Sequence, residues 1–177
     1  MRAEPGVLDA IRRRRAVWRY RPGTVDRQQL SLIAEAAAYA PSADDVKGVS
    51  IIAIDDPSQL AAVIALSPGI LGEPTAALVL CIDWDRRARL PAGARSEDTA
   101  WFDVGAAAEN ALLAAEGLEL GATPITSFHQ PAVAEILSLP SRWTPLAMIA
   151  IGPRRHRLIA PRPEVLEGRL HWQQYRP

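Results

Sequence analysis

Between Asp103 and Phe128 the chain carries the stretch that most limits what it can fold into. Val104, Ala107, Ala108, Ala111, Ala115 and Leu118 recur at helical spacing, and Leu112, Leu113 and Ala114 cover most of the opposite side. A helix apolar nearly all round has to be buried, and its alanine surface lets a second helix approach closely. It belongs at the centre of a domain or of a dimer interface. Glu109, Asn110 and Glu116 interrupt the pattern, and buried polar groups require partners. Gly121 reads as a left-handed cap closing the helix, and Ala122 to Thr126 leaves room for a short strand only.

Around this centre the chain alternates short helices and strands. Glu4-Pro5 starts a first helix with Val7, Leu8 and Ile11 on one face, and Arg12 to Arg15 finish it, complementing its dipole. Asp26 and Gln29 form a capping box for a helix that turns Leu30, Ile33, Ala34, Ala37 and Ala38 inward. Pro41 stops it, because the residue before a proline avoids helical geometry. Ser42 to Gly48 is then a polar loop before the strand Val49 to Ile54; a loop held at both ends by rigid elements suits a ligand. Asp55-Asp56-Pro57 opens a short helix with Leu60, Val63 and Ile64, and Ala76 to Ile82 reads as a buried strand containing Cys81. Trp84 to Glu97 shows no periodicity and reads as an irregular connection. Pro131 opens a helix running to Leu139-Pro140, Leu146 to Ile151 is a strand, and the tail from Pro153 is basic and proline-rich, then amphipathic through Val165, Leu166, Leu170 and Trp172. The expectation is one domain over residues 1–177.

Charge and composition narrow the function. Twenty basic against twenty acidic side chains give no net field to draw the chain to nucleic acid or an anionic membrane, so any anion site must be local. No apolar run approaches about 20 residues and no leader pattern is visible, which predicts a cytoplasmic protein. His129, His156 and His171 are too scattered for a metal site, and neither a nucleophile elbow nor a carboxylate pair is present. Gly121 and Gly152 stand alone, outside any dinucleotide fingerprint. Lone Cys81 reads as a small core residue. Chemistry carried by protein side chains is therefore not indicated. Lys47 is the only lysine and lies in the 42–48 loop.

Five motifs in order resemble the FMN-dependent nitroreductase family. They are Arg14-Arg15-Ala16-Val17-Trp18-Arg19-Tyr20; Ala40-Pro41-Ser42-Ala43 after Glu35-Ala36-Ala37; the alanine helix followed by Pro124-Ile125-Thr126-Ser127-Phe128 and Val133 to Pro140; Ile149-Ala150-Ile151-Gly152; and Arg162-Pro163 to His171-Trp172. The resemblance implies an α+β fold, a mainly antiparallel sheet flanked by helices, in a homodimer whose C-terminal tails are exchanged and whose two interface clefts each hold an FMN. It assigns Arg14, Arg15 and Arg162 to the FMN phosphate. Ala16 and Trp18 fall beside the flavin, and Pro41, Ser42, Ala43 and Asp45 reach it across the dimer interface. Pro124 and Ile125 lie by the ring, and a backbone N–H of Thr126 or Ser127 approaches N5.

The implied activity is hydride transfer from NADH or NADPH, through flavin N5, to a nitroaromatic, quinone or similar flat small-molecule acceptor, with solvent supplying protons. Departures from the family pattern keep two rivals open, a flavin-storing protein and an FMN oxidase in a biosynthetic pathway. Ala16 stands where serine is usual, Trp18 where a cation is usual, and Asp45 where asparagine is usual. Lys47, Gly48 and Val49 replace a glutamine, a proline and an aromatic residue. The connections that roof the active site in many members are short here, which implies a more open cleft.

Overall fold

The computed structural model describes residues 6–155, 169 and 171–174. Its frame is a four-stranded antiparallel sheet in the order β1-β2-β4-β3, from β1 (Val49–Ile54), β2 (Ala76–Asp83), β3 (Leu120–Ile125) and β4 (Trp143–Pro153). The two inner strands are the most apolar, and every residue of β2 is buried. Helices cover both faces, which is why β2 lacks the polar alternation of a half-solvated strand.

On one face lie α2 (Arg27–Ala38) and α5 (Glu97–Gly117), packed over Leu78, Leu80, Ile82, Ile149 and Ile151. On the other lie α3 (Pro57–Ala65) and α6 (Gln130–Ile136), over Ala77, Val79, Met148 and Ala150. The capping box of Asp26 and Gln29 is present at the start of α2, and Asp56 caps α3 with its carboxylate on Gln59 N–H at 2.8 Å. The short α1 (Val7–Arg13) packs on α5 and buries none of its residues.

The polar residues of the central helix find partners. Arg14 reaches Glu109 at 3.0 Å, Asn110 Nδ2 donates to the Ala36 carbonyl at 3.0 Å, and Arg154 pairs with Glu116 at 2.9 Å.

Four sequence expectations change. The central helix begins at Glu97, where Ser96 caps it, and the supposedly irregular connection before it contains the one-turn α4 (Trp84–Arg87), capped by Asp83. The central helix is buried along one side only, with Trp101 and Phe102 outside. Gly121 does not cap it: the helix ends at Gly117 with Leu118 as its C-cap, Glu119 takes the left-handed turn at φ 58°, and Gly121 lies inside β3. A Cβ there would come within 2.7 Å of Val17 Cγ1, so this glycine serves a close approach. Finally, α6 stops at Ile136, and left-handed Ser138 turns the chain before Leu139.

Candidate functional site

β3 is an edge strand, and what lies along its outer side is the segment after α1. Ala16 forms a parallel bridge with Ala122, and Val17 N–H donates to the Ala122 carbonyl at 3.0 Å. The parallel pairing is this one bridge: at Tyr20 the arm pairs antiparallel with Arg154, and Arg21 N–H donates to the Pro153 carbonyl at 3.0 Å, so the arm turns back to the Leu120 end of β3. Gly72, Gly121 and Gly152 let the arm lie close: Tyr20 packs on all three, and its hydroxyl donates to the Ala150 carbonyl at 3.1 Å. Burial of that phenol raises its pKa, so it stays a neutral donor.

Beyond the bridge the strand emerges from the core. Ile125 is buried while Pro124, Thr126 and Ser127 are exposed. The Ser127 carbonyl accepts from Gly69 N–H at 3.2 Å, and His129 N–H donates to the Leu66 carbonyl at 2.9 Å, which ties the turn to the end of α3. Because β3 stops at Ile125 opposite Met148 while β4 extends back to Trp143, the start of β4 flanks the continuation of β3. There a cleft of about 290 Å³ opens, lined by Trp84, Glu97, Trp101, Gln130, Thr144 and Leu146. Trp84 is fixed in its wall by a 2.8 Å bond from Nε1 to Thr144 Oγ1.

The sequence-derived site residues therefore fall into separate groups. Ala16 meets β3 at Ala122, with Arg14, Arg15 and Trp18 in the same arm, while Pro124, Ile125, Thr126 and Ser127 lie further along the strand and in the turn after it. Arg14 is held by Glu109, and Arg15 Nη1 donates to the carbonyls of Arg12 and Arg14 at 2.9 and 2.5 Å. Pro41, Ser42, Ala43 and Asp45 form the 42–48 loop and its approach, and among the described residues no hydrogen bond or ion pair joins that loop to residues 124–127. Lys47 Nζ pairs with Asp45 at 2.8 Å, and Ser42 Oγ accepts from Lys47 N–H at 3.0 Å. Arg162 lies outside the described residues, as does most of the tail. Among the described residues no cluster of His, Cys, Asp or Glu is suited to a metal ion, and no helix is long and apolar enough to cross a membrane.

Sequence reading missed Trp84, Trp101 and Gln130 in the cleft, and the buried ion pair of Arg87 with Asp103 behind the loop at 2.5 Å. Asp103 alone gave a signal, a carboxylate at the head of an apolar helical stretch.

An elongated ligand with an anionic end and a flat end suits the sheet edge. Arg14 and Arg15 supply guanidinium groups from the arm, and Pro124, Thr126 and Ser127 supply exposed backbone where β3 ends. The donor set thus fits FMN, with Trp18 in place of the usual cation.

Residues 67–153 match the model of the Nitroreductase family. The FMN reductase [NAD(P)H] of Bacillus subtilis strain 168 is 27% identical over 161 residues; the match takes in 82% of this chain but only 65% of that relative's length. A solved protein of Bacteroides thetaiotaomicron VPI-5482, provisionally named NADH dehydrogenase/NAD(P)H nitroreductase, is 28% identical, with a TM-score of 0.79 over 96% of this chain and 98% of that one. The FMN-dependent nitroreductase of Clostridium difficile R20291 shares the fold at 21% identity, with a TM-score of 0.81 over 95% and 99% of the two chains. The family model, the sequence relative and the shared fold agree, and the chain belongs to the nitroreductase family.

Proposed function

We propose that this chain is an FMN-dependent NAD(P)H oxidoreductase acting on nitroaromatics, quinones or similar flat acceptors. The observation that carries the reading is the sheet edge, where the arm after α1 bridges β3 at Ala122 and the strand emerges at Pro124 beside an open cleft with two tryptophans. The names of the Bacillus subtilis and Bacteroides relatives support it.

FMN, when bound, supplies hydride acceptance and release. The residues of this chain bind and orient. Arg14 and Arg15 offer guanidinium groups to a phosphate, a charge-assisted contact stronger than a neutral one. Pro124 presents a flat apolar surface without an N–H, and the exposed backbone of Thr126 and Ser127 offers hydrogen bonding at the ring's edge. Trp84 and Trp101 line the cleft with aromatic faces that suit a planar acceptor. No side chain needs to move a proton, because the cleft opens to solvent.

We further propose a homodimer. Val7, Leu8 and Ile11 of α1 and Phe102 of α5 are exposed in the single chain, at 73%, 65%, 49% and 72%. A second copy covering this apolar side would bring its own 42–48 loop to the flavin. A flavin-holding protein without reductase activity is the second reading, favoured by Trp18 where the family has a cation. Asp45 no longer argues for it strongly, since Lys47 neutralises its charge.

The deciding experiment is an anaerobic visible spectrum of the FMN-loaded protein before and after NADPH and then NADH. Bleaching of the flavin by either nucleotide is expected. Flavin that stays oxidised with both would overturn reductase activity in favour of the second reading. Arg14→Ala with Arg15→Ala should weaken FMN binding at least about tenfold, the scale of one charge-assisted hydrogen bond; unchanged affinity removes both residues from the site.

A further inference from the structure

The 42–48 loop has a shape that its own sequence does not favour. Asp44, Asp45 and Lys47 sit at φ 48°, 53° and 53°, the left-handed region where a Cβ crowds the following carbonyl oxygen. Such a loop persists only where its surroundings fix it.

The fixing contacts come from behind. Asp103, buried in α5, divides its carboxylate between two donors: Oδ1 accepts from Ala43 N–H at 3.3 Å and Oδ2 from Arg87 Nη1 at 2.5 Å. Arg87 is 1% exposed. Its Nη2 donates to Thr99 Oγ1 at 2.6 Å and to the Ala94 carbonyl at 3.0 Å, while its buried Nε has no partner. The stem of the same arginine closes the other end of the loop, where a Cβ on Gly48 would lie 2.9 Å from Arg87 Cγ. Neighbouring residues complete the hold, Asp83 N–H on the Gly48 carbonyl at 2.9 Å and Arg86 Nη1 on the Lys47 carbonyl at 3.2 Å.

Stability alone is a poor reason for this pair. Taking two charges out of water opposes their attraction, and apolar residues of similar volume often serve a fold as well or better. What apolar residues cannot supply is the acceptor for Ala43. We infer that Arg87 and Asp103 are positioning residues: their ion pair sets the conformation of the 42–48 loop, and through it the surface the loop presents to FMN. The first half stands on the geometry alone, and the second rests on the proposed function.

Hydrogen exchange separates the two. The N–H groups of Ala43, Asp45, Val46 and Lys47 are all hydrogen-bonded, so the loop has protection to lose. In Arg87→Met with Asp103→Leu, exchange across residues 42–48 should accelerate about tenfold while the strands keep their protection. Arg87→Lys retains a cation for Asp103 and a methylene stem against Gly48, and should keep the loop near its wild-type rate. Unchanged loop exchange in the double variant overturns the proposal, and so does equal acceleration along the whole chain, which would make the pair a general support. If the double variant fails to fold, Asp103→Asn answers instead, because an amide has one acceptor for the two donors. Slow loop exchange there overturns the proposal equally.

Fluorescence titration of FMN supplies the second arm. The double variant should bind about tenfold more weakly and Arg87→Lys as wild type. A loosened loop with unchanged FMN affinity refutes the link to the cofactor. A wild-type protein that binds no FMN refutes the flavin reading itself and leaves exchange to decide the positioning role.

Discussion

Cys81 illustrates how place outweighs identity for a single residue. In β2 it has no exposure, and burial pushes its thiol up to about 12 from an ordinary 9.0. The folded chain therefore holds this proton when the unfolded chain has released it. Since the native state binds more protons above pH 9.0, stability must fall as pH rises past that value. Thermal midpoints from about pH 8 to about pH 10 should decline less steeply in Cys81→Ala than in wild type. Equal slopes would mean that the thiol does not contribute. On the surface Arg27 and Asp55 show the opposite case: a paired hydrogen bond at 2.6 and 2.8 Å raises one pKa and lowers the other, but both groups are solvated and the effect on the fold is small.

Among the elements, the arm after α1 is held by side-chain shape rather than by a long ladder. Tyr20 rests on the β3–β4 pair, and a Cβ on Gly152 would come within 2.6 Å of Tyr20 Cδ1. Arg21 N–H adds a 3.0 Å bond to the Pro153 carbonyl. Gly152→Ala should therefore cost about 1–3 kcal/mol in urea unfolding, the usual penalty of overpacking, and FMN affinity should fall with it if the arm carries the phosphate site. A neutral result would show that Tyr20 can move aside.

This arm also marks the limit of what the sequence made legible. Helix starts were readable where the signal is local, as with Asp26 and Gln29 or Asp56-Pro57. Gly121 was misread as a cap because its reason is tertiary, the approach of Val17 and Tyr20. Arg87 went unseen because arginine-rich stretches read as solvated, and its partner Asp103 lies in another element. The structure bridges the arm to β3 at Ala16 and Ala122, yet neither periodicity nor composition shows how a loop with three left-handed residues is held.

At the scale of the molecule the described residues leave one apolar side open. The central helix exposes Trp101 and Phe102, the latter at 72%, and α1, with its own apolar residues exposed, packs on the same helix. Exposed patches of this kind on a folded chain mark association surfaces. Phe102→Glu combined with Ile11→Glu should convert a dimer to a monomer in light scattering and weaken FMN binding with it. A wild-type monomer would refute the homodimer, and with it the route by which the 42–48 loop reaches a flavin.

Lys47 carries a consequence of a different kind. It is the only lysine in the chain, half-exposed, and bonded to Asp45 at 2.8 Å in the loop that Arg87 and Asp103 hold. An amine-selective acylating dye would find one side-chain target in the whole chain, already seated at the candidate site. The chain thus offers a ready-made position for a fluorescent reporter of that loop, with no residue engineered in.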